Sequence, residues 1–315
     1  MLQFLATSAP FFAVIGLGAL ASGRGLFGPE AIRALNTFAF MIAAPAMILR
    51  VTARQPIAEL WNTTYFVALG ATSLVLLLGG FLIARRLGGL DHGAAVSRGQ
   101  ALVGGNFAFL GIPLMLVFLG EKAAAPIAIG LICDTALVIP VAIGLIEAGR
   151  GSGRVGSIVL RLLKGTLLNP FMLSIAAGLA LSLGGVVIPE PVDRFLAFLG
   201  GAAAPVGVFA LGLAARQWSG GGLPMRQIAP LVLGKLVLHP LLTWVALALV
   251  LRLDPFWVGA GVLYAALPTA ANVFVIAERF GTGSREIAAA IVLSTAIAAL
   301  SFPLTTWLVF GAAAP

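Results

Sequence analysis

Ten stretches of mostly apolar residues follow one another along this 315-residue chain with short connections between them. Each approaches the ~20 residues that carry a helix across about 30 Å of hydrocarbon. They run approximately Leu5 to Ser22, Ala34 to Leu49, Tyr65 to Ala84, Ala101 to Leu119, Pro126 to Ile146, Leu168 to Leu183, Phe195 to Leu213, Leu231 to Leu251, Trp257 to Ala277 and Glu286 to Phe310. With 60% hydrophobic residues, 10% charged ones and a mean hydropathy of +1.09, there is too little polar surface to coat a water-soluble body of this size. The bilayer is the solvent, and the expected class is an all-α polytopic membrane protein.

Ala19-Leu20-Ala21 before Ser22 resembles a signal-peptidase site, but no Lys or Arg precedes the apolar run. The first span also has a counterpart downstream. Pro10, Phe11, Gly18 and Ser22 recur as Pro170, Phe171, Gly178 and Ser182, and Ala43-Ala44-Pro45 recurs as Ala203-Ala204-Pro205, all 160 residues apart. The chain therefore reads as a tandem duplication of five spans. An odd number forces the second half to enter the membrane inverted, and the expectation is two inverted five-helix repeats.

Lys and Arg set the orientation. Alternate connections carrying Arg24, Arg33, Arg85, Arg86, Arg98, Arg150, Arg154, Arg161, Lys164, Arg216, Arg226, Arg279 and Arg285 hold 13, against 5 on the other side (Arg50, Arg54, Lys122, Arg194, Arg252). The positive-inside bias puts the 13 in the cytoplasm and both termini outside the cell (inner) membrane. Trp61, Trp218, Trp257 and Trp307 fall near span ends, where interfacial anchors sit. The formal charge of +8 is largely accounted for by this bias, so it gives no support to nucleic-acid binding. Cys133 is the single cysteine and excludes an intrachain disulfide, while His92 and His239 are too few for a metal centre without carboxylate help. Gly220-Gly221-Gly222 lacks the Lys-Ser or Lys-Thr ending of a nucleotide loop and reads as a flexible turn.

Two interrupted spans carry the strongest functional signal. Gly105-Asn106 leads to Gly111-Ile112-Pro113 in span four, and Ala266-Leu267-Pro268-Thr269 leads to Asn272 in span nine. Proline removes a helix hydrogen bond and clashes with the preceding turn, so a matched pair of breaks marks a lined site rather than a lipid-facing helix. The expectation is that spans four and nine cross at Pro113 and Pro268. Unwinding leaves half-helix N-termini, whose free N–H groups favour an anion. Asn106 and Asn272 each offer amide donors and an acceptor. They either orient a ligand or merely support the unwound backbone; Gly104, Gly105 and Gly111 let the two chains approach.

These residues, with Lys235-Leu236-Val237-Leu238-His239-Pro240, resemble the auxin efflux carrier family in its short bacterial form, across nearly the whole chain. The resemblance implies ten helices in two inverted repeats, similar to bile-acid/sodium symporters and sodium-proton antiporters. It also implies a homodimer built on spans two and seven, and crossing broken helices four and nine. Scaffold would comprise residues 1–64 and, with the connection, 149–228; the mobile transport part would comprise 65–148 and 229–315. Plant members carry a long connection between spans five and six, whereas Gly149 to Gly165 is short here. The expected substrate contacts are Asn106, Gly111, Pro113, Pro268, Thr269 and Asn272.

Asp134 is the one acid well inside a span. An intramembrane carboxylate costs several kcal/mol and is by default functional. By likeness to the antiporters, Asp134 and Lys235 occupy the two helices that flank the ion site. They form either a structural ion pair or a proton-linked switch, and Lys235 has a third option of reaching out to the cytoplasmic interface. His239, one turn from Lys235 on the same face, is a titratable candidate or a polar plug at Pro240. The functional expectation is a secondary carrier of small organic anions working by alternating access, elevator-type, with a proton or sodium as coupling ion and no other cofactor. The alternatives are a symporter of larger amphipathic acids of the bile-acid type, a passive channel and an intramembrane enzyme.

Overall fold

The computed structural model describes residues 1–55, 61–151, 155–218 and 225–311, and among these every regular element is a helix. In chain order they are α1 (Leu2–Gly23), α2 (Pro29–Ala53), α3 (Thr63–Arg86), α4 (His92–Ala101), α5 (Phe107–Leu119), α6 (Ala124–Gly149), α7 (Val155–Leu167), α8 (Pro170–Leu183), α9 (Glu190–Trp218), α10 (Met225–Val250), α11 (Pro255–Ala265), α12 (Ala271–Arg279) and α13 (Ser284–Phe310). Seven are long and apolar enough to cross a membrane, and α7 with α8, bent by 57°, makes up to an eighth. Their outer surface is what lipid requires: Phe198 is 87% exposed, and Val75, Leu300 and Leu308 are exposed beside it in kind. Arg154 and the Gly220-Gly221-Gly222 turn lie outside the described residues.

Four prolines inside spans share one local device. Pro45, Pro113, Pro140 and Pro240 each follow a π-helical turn that ends two residues earlier: Ala39–Ala43, Phe107–Gly111, Cys133–Val138 and Gly234–Leu238. A proline ring collides with the carbonyl four residues back and brings no N–H to bond it. The wider π turn shifts that carbonyl away, so the helix continues. Backbone at Pro113 is accordingly helical, which corrects the expectation of a break there. Pro10 and Pro303 sit within α-helix without such a turn.

The residues between Gly149 and Gly165, expected only as a short connection, include most of α7. Its Leu160, Leu163 and Leu167 recur at helical spacing and are exposed, while Arg161 turns to Glu147 of α6 at 3.0 Å.

Small residues set the closest helix contacts. In α1, a Cβ at Gly18 would lie 2.3 Å from the Phe209 carbonyl of α9 and 3.2 Å from the Gly212 Cα. In α8, a Cβ at Gly178 would lie 3.0 Å from the Leu49 carbonyl of α2 and 2.7 Å from Thr52. Residues 18, 209 and 212 stand 160 from residues 178, 49 and 52, so the two contacts are related by the same offset as the sequence matches. Gly18→Ala should therefore cost about 1–3 kcal/mol, because backbone cannot yield as a side chain does. Gly16→Ala, in the same helix with nothing within 4 Å, should be neutral or gain ~0.5–1 kcal/mol of helix propensity. Thermal unfolding in detergent compares them directly, and equal midpoints would remove the packing argument.

Candidate functional site

The chain is non-helical at 102–106, between α4 and α5, and at 266–270, between α11 and α12. These segments pass each other antiparallel around the Gly105–Thr269 pair. The Asn106 N–H donates to the Pro268 carbonyl (2.8 Å) and the Ala270 N–H donates to the Gly104 carbonyl (2.9 Å). Pro268 lacks an N–H but keeps its acceptor, which is the group used here. A Cβ at Gly105 would stand 3.4 Å from Leu267 and 3.5 Å from the Lys235 ammonium, ordinary contact distances.

Each break leaves a half-helix C-terminus whose last carbonyls have lost their partners. The two ends are satisfied differently. The Thr269 hydroxyl donates to the Ala101 carbonyl at 3.2 Å, whereas the Lys235 ammonium donates to the Ala265 carbonyl at 2.7 Å. Ala101 and Ala265 are 164 residues apart, close to the 160 of the outer spans and unlike the 155 separating Pro113 from Pro268. A cation at the negative end of a half-helix is favourable, and a buried ammonium needs such acceptors.

Lys235 is wholly buried, which rules out the interfacial position left open for it. Its ammonium also lies 3.1 Å from His239 Nδ1. His239 is equally buried, and among the described residues its Nε2 has no hydrogen-bond partner. Asp134 lies in the Cys133–Val138 π turn of α6 and accepts a hydrogen bond from the Tyr264 hydroxyl. Asp134 and Lys235 make no ion pair among the described residues. They hold consecutive residues at the end of α11 instead: Asp134 takes the Tyr264 side chain and Lys235 takes the Ala265 backbone. The Tyr264 ring stands edge-on to Phe107 (5.1 Å) and to His239 (6.2 Å).

Tyr264 was not among the residues singled out from the sequence. A signal was present, since the chain has only two tyrosines. An aromatic with a polar tip, deep in a span, needs a partner for that tip. Of the substrate-contact candidates, Pro268 and Thr269 are buried and spend their polar atoms on the opposite break. The Thr269 N–H is further taken by Ser294 Oγ of α13 at 3.1 Å. Gly111 and Pro113 are buried in the helical part of α5. Asn106 is 5% exposed and stands at the start of α5 without a side-chain capping bond; Asn272 is exposed in the first turn of α12, which has no side-chain cap either. The two asparagines thus lie beside the two half-helix N-termini with amides unused for capping. No group of three or more His, Cys, Asp or Glu side chains suited to a metal occurs among the described residues.

A family model described as membrane transport protein matches residues 4–306. The chain belongs to this family, that of the auxin efflux carriers. One carrier relative, named "Putative malonate transporter", from Rhizobium meliloti (strain 1021), is 33% identical over 307 residues, covering 97% of this chain and 96% of its own. As a family member the protein is a membrane transporter and not an enzyme.

Proposed function

We propose that this carrier is a secondary transporter of small dicarboxylates of malonate size. It works by alternating access at the two paired breaks, with Asn106, Asn272 and the N-termini of α5 and α12 binding one carboxylate. One observation carries the reading: two interrupted helices exchange backbone hydrogen bonds and leave two half-helix N-termini beside asparagines that make no capping bond. Partial positive charge and N–H donors at those termini suit a carboxylate without a buried arginine.

The full architecture is part of the proposal: ten spans in two inverted repeats, α4 with α5 and α11 with α12 being the crossing spans four and nine. The 160-residue equivalence of the Gly18 and Gly178 contacts supports it. Scaffold would be residues 1–64 and 149–228, moving against a transport part of 65–148 and 229–315 in an elevator manner. A homodimer through α2 and α9, an inner-membrane location and both termini outside complete the reading. Asp134, Lys235 and His239 would couple transport to a proton or sodium, because a buried carboxylate bonded only to Tyr264 among the described residues changes its environment when the end of α11 moves.

Counterflow in proteoliposomes tests this. Unlabelled malonate inside should drive transient uptake of labelled malonate, and succinate should compete better than a monocarboxylate. Uptake that merely equilibrates, with no overshoot, would favour a channel and refute the carrier.

A further inference from the structure

At the C-terminal end of α2, one turn apart, Arg50 and the capping residue Arg54 grip a single carboxylate, Asp193 of α9. Arg50 reaches Oδ1 and Oδ2 through Nε (2.9 Å) and Nη2 (3.1 Å), and Arg54 reaches the same oxygens through Nε (3.1 Å) and Nη2 (2.6 Å). Two guanidiniums thus share one anion, and a guanidinium carries five donors, so most of each fork is left over. Both arginines line a cavity of about 370 Å³ together with Met47, Leu116, Leu196 and Gly120, a wall in which Asp193 takes no part. Leu116 and Gly120 belong to the end of the half-helix that starts at Asn106. Fourteen residues at 1.5 Å each put this cavity roughly 20 Å from the paired breaks, at the other end of α5.

We infer that this cavity is a second anion site, where the arginine pair takes a substrate carboxylate in competition with Asp193 before it reaches Asn106 and Asn272. The chemistry is specific: planar forks match a carboxylate, and Met47, Leu116 and Leu196 suit a short carbon skeleton. The location is specific too, because α2 and α9 lie in the proposed scaffold and α5 in the proposed moving part. Sliding of α5 past Arg50 would open or close the site. The inference rests on the carrier reading and on the orientation that puts Arg54 outside.

The test is malonate transport from each face, in right-side-out and everted vesicles and in proteoliposomes of neutral phosphatidylcholine. Arg54→Gln should raise the half-saturating concentration about tenfold from the Arg54 face, a half-exposed fork being worth less than a buried one. From the opposite face it should change nothing. Asp193→Asn, which releases both forks, should lower the half-saturating concentration from the Arg54 face. A clamp that only holds helices together predicts the reverse for Asp193→Asn, with both variants losing thermal stability and slowing transport from both faces; that result overturns the site. An effect seen with phosphatidylglycerol vesicles but not with phosphatidylcholine would assign the forks to a lipid phosphate and also overturn it. Failure of the unaltered protein to move malonate from either face would overturn the carrier reading, and the site with it.

Discussion

Asp134→Asn is expected to insert and fold normally, yet to bring substrate no higher inside than outside. The amide keeps an acceptor for the Tyr264 hydroxyl, so the contact that positions the end of α11 survives and stability should move by no more than about 1 kcal/mol. What disappears is the group proposed to take up a proton or cation as α11 shifts. Exchange of labelled for unlabelled malonate needs no net coupling and should continue, while accumulation driven by an imposed gradient should fall on the order of tenfold or more, to equilibrium. Parallel accumulation and counterflow assays on one preparation separate the two. Full accumulation with unchanged pH dependence would leave Asp134 a spectator.

Lys235→Met is expected to do the opposite: it should damage the structure of the site first. Methionine matches the length of the lysine stem and removes a buried charge, so cavity and desolvation terms favour the variant. Against them, the Ala265 carbonyl and His239 Nδ1 both lose their donor in a place water does not reach. An unsatisfied buried acceptor costs about 1–3 kcal/mol, so the lost hydrogen bonds should win by roughly 2 kcal/mol. Exchange should fall with stability, because the end of α11 is then no longer pinned beside Gly105. Asp134 and Lys235 bond neighbouring residues and not each other. A double-mutant cycle for Asp134→Asn and Lys235→Met should therefore return a coupling of about 1 kcal/mol, below that of a direct buried pair. Wild-type exchange and melting in Lys235→Met would remove the capping role.

Much of the membrane class was open to reading because hydropathy is a property of composition and run length, and lipid allows few solutions to the backbone problem. The 160-residue offset was equally readable from Pro10, Gly18, Ala43 and their partners, and Gly18 and Gly178 turn out to face backbone related by the same offset. Asn106, Asp134 and Lys235 stood out as polar groups at a depth where polar groups are costly.

Sequence alone could not tell which proline breaks a helix. Pro113 and Pro268 carry the same local penalty, yet a π turn absorbs the first, while the backbone ladder to Gly104 and Asn106 stabilises the unwinding at the second. That choice depends on a segment more than 150 residues away, so no local pattern encodes it. The same holds for Asp134 and Lys235. Their charges proposed a pair; only the tertiary packing interposed Tyr264 and Ala265 and gave each its own partner. Residue type fixed which groups must find partners in lipid, and the geometry of the crossing breaks decided which partners they found.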